Sequence, residues 1–234
     1  MAQKLGYSST FYGAAVLGVV ALVFLLFAGQ PVIEKRSNVS LAGLKTAITY
    51  KPLLIVSLMG VLSQIANWSG LFGFVPVYAA GIGATSSDLG IINMLCLAAS
   101  ALASLTVVRF VKLWGNSFTI LLGSLMLGGA ILLVPLIHSV PLLEAAMILN
   151  GLGRGLLATI LMSLSIQGVL PQQRATSMGI YQAIYAIGML VGPLISGFMA
   201  DRIGLTSVFV MCTLCCVATA FVAYLPAIRQ MEHN

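Results

Sequence analysis

Apolar residues run almost unbroken through seven stretches of the chain, roughly 11–28, 53–79, 89–108, 117–137, 142–168, 176–199 and 206–226, and short polar segments separate them. About 20 mostly apolar residues are needed for a helix to cross the hydrocarbon layer of a bilayer. Each stretch meets or approaches that length, so the pattern predicts seven transmembrane helices and an all-α membrane protein. Alternating segments of about ten residues, the mark of a membrane barrel, are not seen.

The longest polar interruption, Gln30 to Lys51, sets the first helix apart from six closely spaced ones. The expected organisation is a leading transmembrane helix over 1–29, a basic linker over 30–51, a six-helix unit over 52–228 and a short tail over 229–234. Six-helix bundles are the repeat unit of many secondary transporters, in which two halves clasp a site near the bilayer midplane. A lone leading helix followed by a basic loop looks like the end of a first half that lies upstream.

Composition strengthens the membrane reading. Of the 234 residues 60% are hydrophobic and only 7% charged, with a mean hydropathy of +1.08, whereas soluble domains carry about 25% charged residues. The lipid bilayer is therefore the first expected partner, and no room remains for a soluble domain. A formal charge of +6 would by itself suggest an anionic partner, but the basic residues are not arranged as a nucleic-acid surface. Lys35, Arg36, Lys45, Lys51, Arg109, Lys112, Arg174 and Arg229 fall on one side of the expected membrane, against Lys4 and Arg202 on the other. This bias places the N-terminus outside and the C-terminus in the cytoplasm, in an inner or plasma membrane, and no nucleic-acid partner is expected.

The first apolar run is longer than a signal-peptide core, lacks an A-x-A-like site and is followed by Glu34-Lys35-Arg36, so it reads as a retained helix. Cys96, Cys212, Cys215 and Cys216 lie inside spans with no histidine beside them, which favours small buried residues over a metal or redox site. Asn38-Val-Ser40 has the form of a glycosylation sequon but falls on the expected cytoplasmic side. Seven helices also match receptors and retinal proteins. The last span carries no lysine for a Schiff base, and no Asp-Arg-Tyr or Asn-Pro-x-x-Tyr stands near the relevant helix ends.

The stretch GIYQAIYAIGMLVGPLISG, 179–197, decides more. Lipid is as apolar as leucine, so membrane helices associate through close backbone packing, which small residues four apart permit. Gly188, Gly192 and Ser196 have that spacing, Gly179 falls on the opposite face, and Pro193 removes a backbone donor and can bend the helix. The spacing G-x8-G-x3-G-P-x2-S-G, formed by Gly179, Gly188, Gly192, Pro193, Ser196 and Gly197, resembles the antiporter motif of the major facilitator superfamily, with serine in place of one glycine. That motif marks helix five of drug:proton antiporters, and a related pattern can recur in helix eleven. The resemblance implies that the chain corresponds to helices six to twelve, its last six helices forming a C-terminal half-bundle of that fold.

Two further segments bear on it. Gly197-Phe-Met-Ala-Asp201-Arg202-Ile-Gly204 looks like the family's cytoplasmic gating loop, yet counting spans puts it on the outer side, so it reads as an external turn. The place where a gating loop is expected, Ser104 to Gly115, holds Lys112 at the acid position, a departure that puts the usual gate pairing in doubt.

Arg154 lies deep within the fifth span, where a charge is costly and by default indicates a function or a buried partner. A substrate or counter-ion role and a purely structural pairing both fit the sequence. Asn150 precedes it by one turn on the same face, and Gly151 and Gly155 form a small-residue contact on another. Gln64, Asn67 and Trp68 form one polar and aromatic stripe in the second span, and Tyr181, Gln182 and Tyr185 another in the sixth. For both groups, inter-helix hydrogen bonding and substrate contact stand open. With Arg154 they outline half a cavity for a small amphipathic or anionic substrate.

Asp88, Glu144, Asp201 and His138 all sit near expected outer ends, so no proton carrier is placed in the membrane core. A phosphate-binding G-x-x-x-x-G-K-[ST] loop, a nucleophile-base cluster and a metal-ligand set are also missing. No catalytic residue, metal or cofactor is therefore expected, and the chain is read as no enzyme. The resemblance, closest to the drug and metabolite efflux antiporters of that family, implies a secondary transporter that exports a small molecule in exchange for protons, present here as a C-terminal half. Alternatives are a half-size protein that acts only by pairing with a second copy or another chain, and a non-transporting remnant.

Overall fold

The computed structural model describes residues 7–27, 50–225 and 228. Lys4, most of the basic linker with Lys35, Arg36, Lys45 and the Asn38 sequon, and the tail with Arg229 lie outside the described residues. The chain divides into two units, Met1–Asn38 and Val39–Asn234. In the first, helix α1 spans Tyr7–Phe27. Its 21 residues extend about 31 Å at 1.5 Å each, enough to cross a hydrocarbon layer.

The second unit is wholly helical among its described residues. It contains α2 (Lys51–Gly81), α3 (Ser86–Leu133), α4 (Val140–Leu164), α5 (Arg174–Ile203) and α6 (Leu205–Val222). Together with short helical turns before α4 and α5, these make five helical stretches long and apolar enough to span a membrane. The fold is that of an all-α membrane protein.

Helix α3 accounts for two crossings. Straight, its 48 residues would reach about 72 Å, more than twice the roughly 30 Å hydrocarbon thickness. The chain reverses at Gly115, whose φ of 80° and ψ of 174° lie outside the helical region and in one that only glycine enters readily. Contacts of α4 establish the reversal. Cys96 on the first arm and Leu127 on the second both reach Asn150, at 3.6 and 3.5 Å. In a continuous helix those two residues would stand about 46 Å apart. The spans predicted at 89–108 and 117–137 are thus the two arms of this hairpin.

Glycines set how closely α4 approaches them. A Cβ on Gly151 or Gly155 would collide with the carbonyl oxygen of Cys96 or Ser100 on the first arm. One on Gly153 would lie 2.5 Å from the Leu127 nitrogen on the second. Successive small residues therefore serve opposite neighbours, and α4 sits between both arms with backbones nearly touching.

Helix α2, one run in the sequence, has three parts: α-helical Lys51–Ile65, a π-helical stretch Ala66–Phe74 and α-helical Val75–Gly81. Pro76 explains where the π stretch ends. It has no N–H for the Phe72 carbonyl and its ring would press on that oxygen, so the turn before it widens, with Val75 N–H bonding Gly70 O instead.

Against α2 lies α5. A Cβ on Gly188 would strike the Val61 backbone, and one on Gly192 would approach Ser69 Oγ to 2.9 Å and Ile65 Cα to 3.1 Å. From the α2 side, Gly60 leaves room for the Tyr181 ring and the Tyr185 Cβ, with Tyr181 Cε2 2.9 Å and Tyr185 Cβ 3.2 Å from a Cβ placed there. Ser196 is buried in the same seam, whereas Gly179 and Gly197 have nothing within 4 Å of an added Cβ. The predicted one-face arrangement of Gly188, Gly192 and Ser196 is what the helices use. Pro193 stands within an unbroken α5.

The alternating course of the helices collects Lys51, Arg109, Lys112 and Arg174 at one end of the unit, and Asp88, His138, Glu144, Asp201 and Arg202 at the other. At that second end Tyr78 Oη donates to the carbonyls of Pro135 and Ile137, at 3.2 and 2.9 Å. Thr85 and Asp88 form a reciprocal cap at the start of α3. Gly204, at φ 104°, makes the tight passage from α5 to α6, and the Arg202 guanidinium lies 5.4 Å from the Phe198 ring centre. Asp201 and Arg202, expected in an external turn, instead form the last turn of α5, at the end of the unit opposite Arg109 and Lys112, and the chain turns at Gly204.

The four cysteines are free thiols, three of them buried. A Cβ on Gly128 would come within 2.8 Å of Cys216 Cβ. A small, polarizable side chain fits such a tight helix contact.

Candidate functional site

One cavity in the six-crossing unit is lined by charge and hydrogen-bonding groups. Ser63, Gln64 and Asn67 come from α2, Arg154 from α4, and Tyr181 and Tyr185 from α5. The volume is about 130 Å³, well above the roughly 10–15 Å³ that one water needs. Leu127, Leu157, Ala158 and Met162 complete the wall, and Ala158 and Met162 are exposed at its rim. The cavity is therefore polar at its centre and apolar around it.

The placement of Arg154 follows from the packing of α4. With Gly151 and Gly155 against one arm of α3 and Gly153 against the other, the remaining face of the helix turns Arg154 toward α2. Its guanidinium lies 5.5 Å from the Phe72 ring centre, inside the range in which an aromatic face attracts a cation. Arg154 is fourteen residues from the start of α4 and ten from its end, so it lies about 15 Å from the nearer end. No acidic side chain lines the cavity. Among the described residues the guanidinium has an aromatic neighbour but no ion pair.

On α2, Asn67 Nδ2 donates to Gln64 Oε1 at 3.3 Å, and Ser63 Oγ donates to the Gly60 carbonyl at 2.9 Å. Asn67 is 6% exposed, and its Oδ1 has no hydrogen-bond partner among the described residues. Such a buried acceptor is costly to leave unpaired. Across the cavity, Tyr181 and Tyr185 meet edge to face, with ring centres 5.1 Å apart, seated over Gly60.

The structure thus brings together Arg154, Gln64, Asn67, Tyr181 and Tyr185. The other three residues singled out in the sequence stand elsewhere. Asn150 is fully buried and occupied, with Oδ1 near Cys96 Sγ and Nδ2 near the Leu127 carbonyl. It ties the two arms of α3 to α4 and does not line the cavity. Trp68 does not line the cavity; it is 37% exposed, with its ring centre 5.3 Å from that of Phe72. Gln182 is exposed on the outer face of α5.

Two contributors escaped the sequence reading. Ser63 adjoins Gln64 and was hidden by its small size. Phe72 stands four residues after Trp68, a spacing that marks one helix face and was a usable signal.

Comparison with known proteins decides the family. The model of the Major Facilitator Superfamily matches residues 57–233. The chain belongs to the Major Facilitator Superfamily. An uncharacterized MFS-type transporter of Methanocaldococcus jannaschii is similar to it, 19% identical over 231 residues that cover 96% of this chain and 60% of that protein. The chain therefore spans about three fifths of the length of that relative. Members of the Major Facilitator Superfamily are multi-pass membrane transporters, not enzymes, and the transmembrane, transport and membrane readings of the sequence agree with this membership.

Proposed function

We propose that the six-crossing unit forms one wall of a secondary transport pathway for a small organic molecule, with Arg154 as the residue that attracts it. The observation that carries this reading is an arginine deep in the bilayer, facing a polar cavity with no carboxylate on its lining. A central arginine costs about 2.5–3.5 kcal/mol on insertion scales, and the Phe72 ring offsets only part of that. An anionic group entering the cavity would offset more.

The second wall comes from another six-helix half, upstream in the same polypeptide or on a second chain. In this arrangement the α2–α5 seam lies beside the cavity, and rocking of the halves opens it to each side in turn. The antiporter-like spacing at Gly179–Gly197 supports efflux coupled to proton antiport. The proton-carrying acid then belongs to the other half, because Asp88, Glu144 and Asp201 all stand at one end of this unit, away from the cavity. The grouping of Lys51, Arg109, Lys112 and Arg174 supports a cytoplasmic location for that end, with the N-terminus outside, in an inner or plasma membrane.

The test is flux in proteoliposomes containing the protein with its partner half, with an imposed pH gradient and labelled organic anions and cations. Anion flux that collapses with the gradient, and falls at least tenfold in Arg154→Ala with normal insertion, is the expected result. Unchanged flux in Arg154→Ala sinks the role given to Arg154, and flux carried by this chain as a monomer, with crosslinking showing no pair of copies, sinks the two-wall arrangement.

A further inference from the structure

We infer that the groove between the two arms of α3 holds one acyl chain of an anionic phospholipid, whose headgroup lies against Arg109 and Lys112. Leu102, Thr106 and Phe110 of the first arm and Leu122 and Met126 of the second line a space of about 380 Å³, within the roughly 300–1,000 Å³ range of ligand pockets. Its wall is almost wholly hydrocarbon, because the Thr106 hydroxyl is bonded to the Ala103 carbonyl at 2.8 Å. A soluble organic ligand needs a few placed polar groups to orient it; this wall supplies none and suits a bare hydrocarbon chain. The groove is also turned away from the cavity at Arg154. Its floor on α4 is Leu152 and Leu156, two residues before and two after Arg154. At about 100° per residue both lie about 160° round the helix from Arg154, so a second half that closes on the cavity leaves the groove, with Leu102 exposed at its rim, facing lipid.

One end of the groove has the chemistry of a membrane interface. Phe110, Trp114 and Phe118 form a ladder of rings from one arm to the other, with centres 5.0 and 5.4 Å apart, and tryptophan favours the headgroup level. Arg109 and Lys112 are exposed beside Phe110 in the chain. The acidic side chains among the described residues, Asp88, Glu144 and Asp201, all stand at the other end of the unit, so among the described residues no carboxylate neutralises these two cations. Leu102 and Lys112 are ten residues apart, about 15 Å at 1.5 Å each, which is one leaflet of a hydrocarbon layer about 30 Å thick. A phosphate held at Lys112 therefore lets one chain run the length of the groove. Basic residues at a membrane surface attract anionic lipids, whereas a zwitterionic headgroup brings its own ammonium and gains less from them.

The experiment follows quenching of Trp114 by brominated lipids in the full chain carrying Trp68→Phe, reconstituted in phosphatidylcholine vesicles. Brominated phosphatidylglycerol is compared with brominated phosphatidylcholine in about 0.15 M salt, where exposed charges alone are largely screened. The expected result is a relative affinity at Trp114 of about fivefold or more in favour of phosphatidylglycerol. Arg109→Gln combined with Lys112→Gln, both at exposed positions, is expected to bring that ratio close to one. Thr106→Phe, which fills the groove and leaves both charges in place, is expected to do the same. Equal affinities for the two lipids before these changes overturn the inference. A preference that survives Thr106→Phe also overturns it, since surface charge alone then accounts for the attraction. A photoreactive residue at Leu102 is expected to capture lipid; capture of a second copy of the chain instead puts a protein partner in the groove and likewise overturns the inference. The lipid comparison and the capture do not depend on Thr106→Phe folding.

Discussion

Replacement of Gly188 by alanine tests the packing on which the α2–α5 seam depends. The added Cβ would meet the Val61 carbonyl oxygen at a distance no real Cβ shows, with Val61 C and Cα both at 3.1 Å. Ordinary contact begins near 3.4 Å, and all the obstructing atoms are backbone, so no side chain can swing aside. The helices must part by several tenths of an ångström or more along the seam. Overpacking of this kind costs about 1–3 kcal/mol. Alanine in place of glycine in a helix returns about 0.5–1 kcal/mol, leaving a net loss of up to about 2.5 kcal/mol. Gly179→Ala, on the same helix with nothing within 4 Å, receives only the favourable effect. Reversible unfolding of both variants in mixed micelles, followed by the emission of Trp68 and Trp114, measures the difference. Gly188→Ala is expected to unfold first and Gly179→Ala to match or exceed the parent. If Gly188→Ala proves as stable as Gly179→Ala, the close approach of α2 and α5 is not real.

Other expectations follow from single residues. Gly115→Ala forces a side chain into a backbone region open almost only to glycine and should lower stability by about 1–3 kcal/mol; an unchanged unfolding midpoint would contradict the reversal at that position. Asn150→Leu removes the amide between the two arms of α3 and should cost about 0.6–1.7 kcal/mol, the range of hydrogen bonds between membrane helices, with the loss largely shared by Cys96→Ala in a double-mutant cycle. Pro76→Ala lets the Phe72 carbonyl regain its ordinary partner, so the π stretch should relax toward α-helix and shift Trp68 emission, read in a Trp114→Phe background; an unaltered spectrum argues against proline as the cause.

Much of this protein is legible in its sequence, for a local reason. Whether a segment prefers lipid is a sum over its own residues, so the spans at 53–79, 142–168, 176–199 and 206–226 correspond to α2, α4, α5 and α6 within a few residues. The cost of an isolated charge is equally local, which is why Arg154 stands out without a structure. Repeated glycine spacing marks a helix face by geometry alone, and Gly188, Gly192 and Ser196 share one in the folded chain.

Which partner each face meets is another matter, since it depends on segments far apart in the chain. Only the packing of α4 between both arms of α3 decides that Asn150 is a tie between helices while Arg154, four residues later, looks into a cavity. Only the folded chain shows that Phe72, not Trp68, lies beside the guanidinium, and the α2–α5 seam separates Tyr181 from Gln182 and Gly188 from Gly179. Apolar content determines that these helices enter a bilayer; steric fit between them, to which hydropathy contributes little in lipid, determines the cavity they enclose.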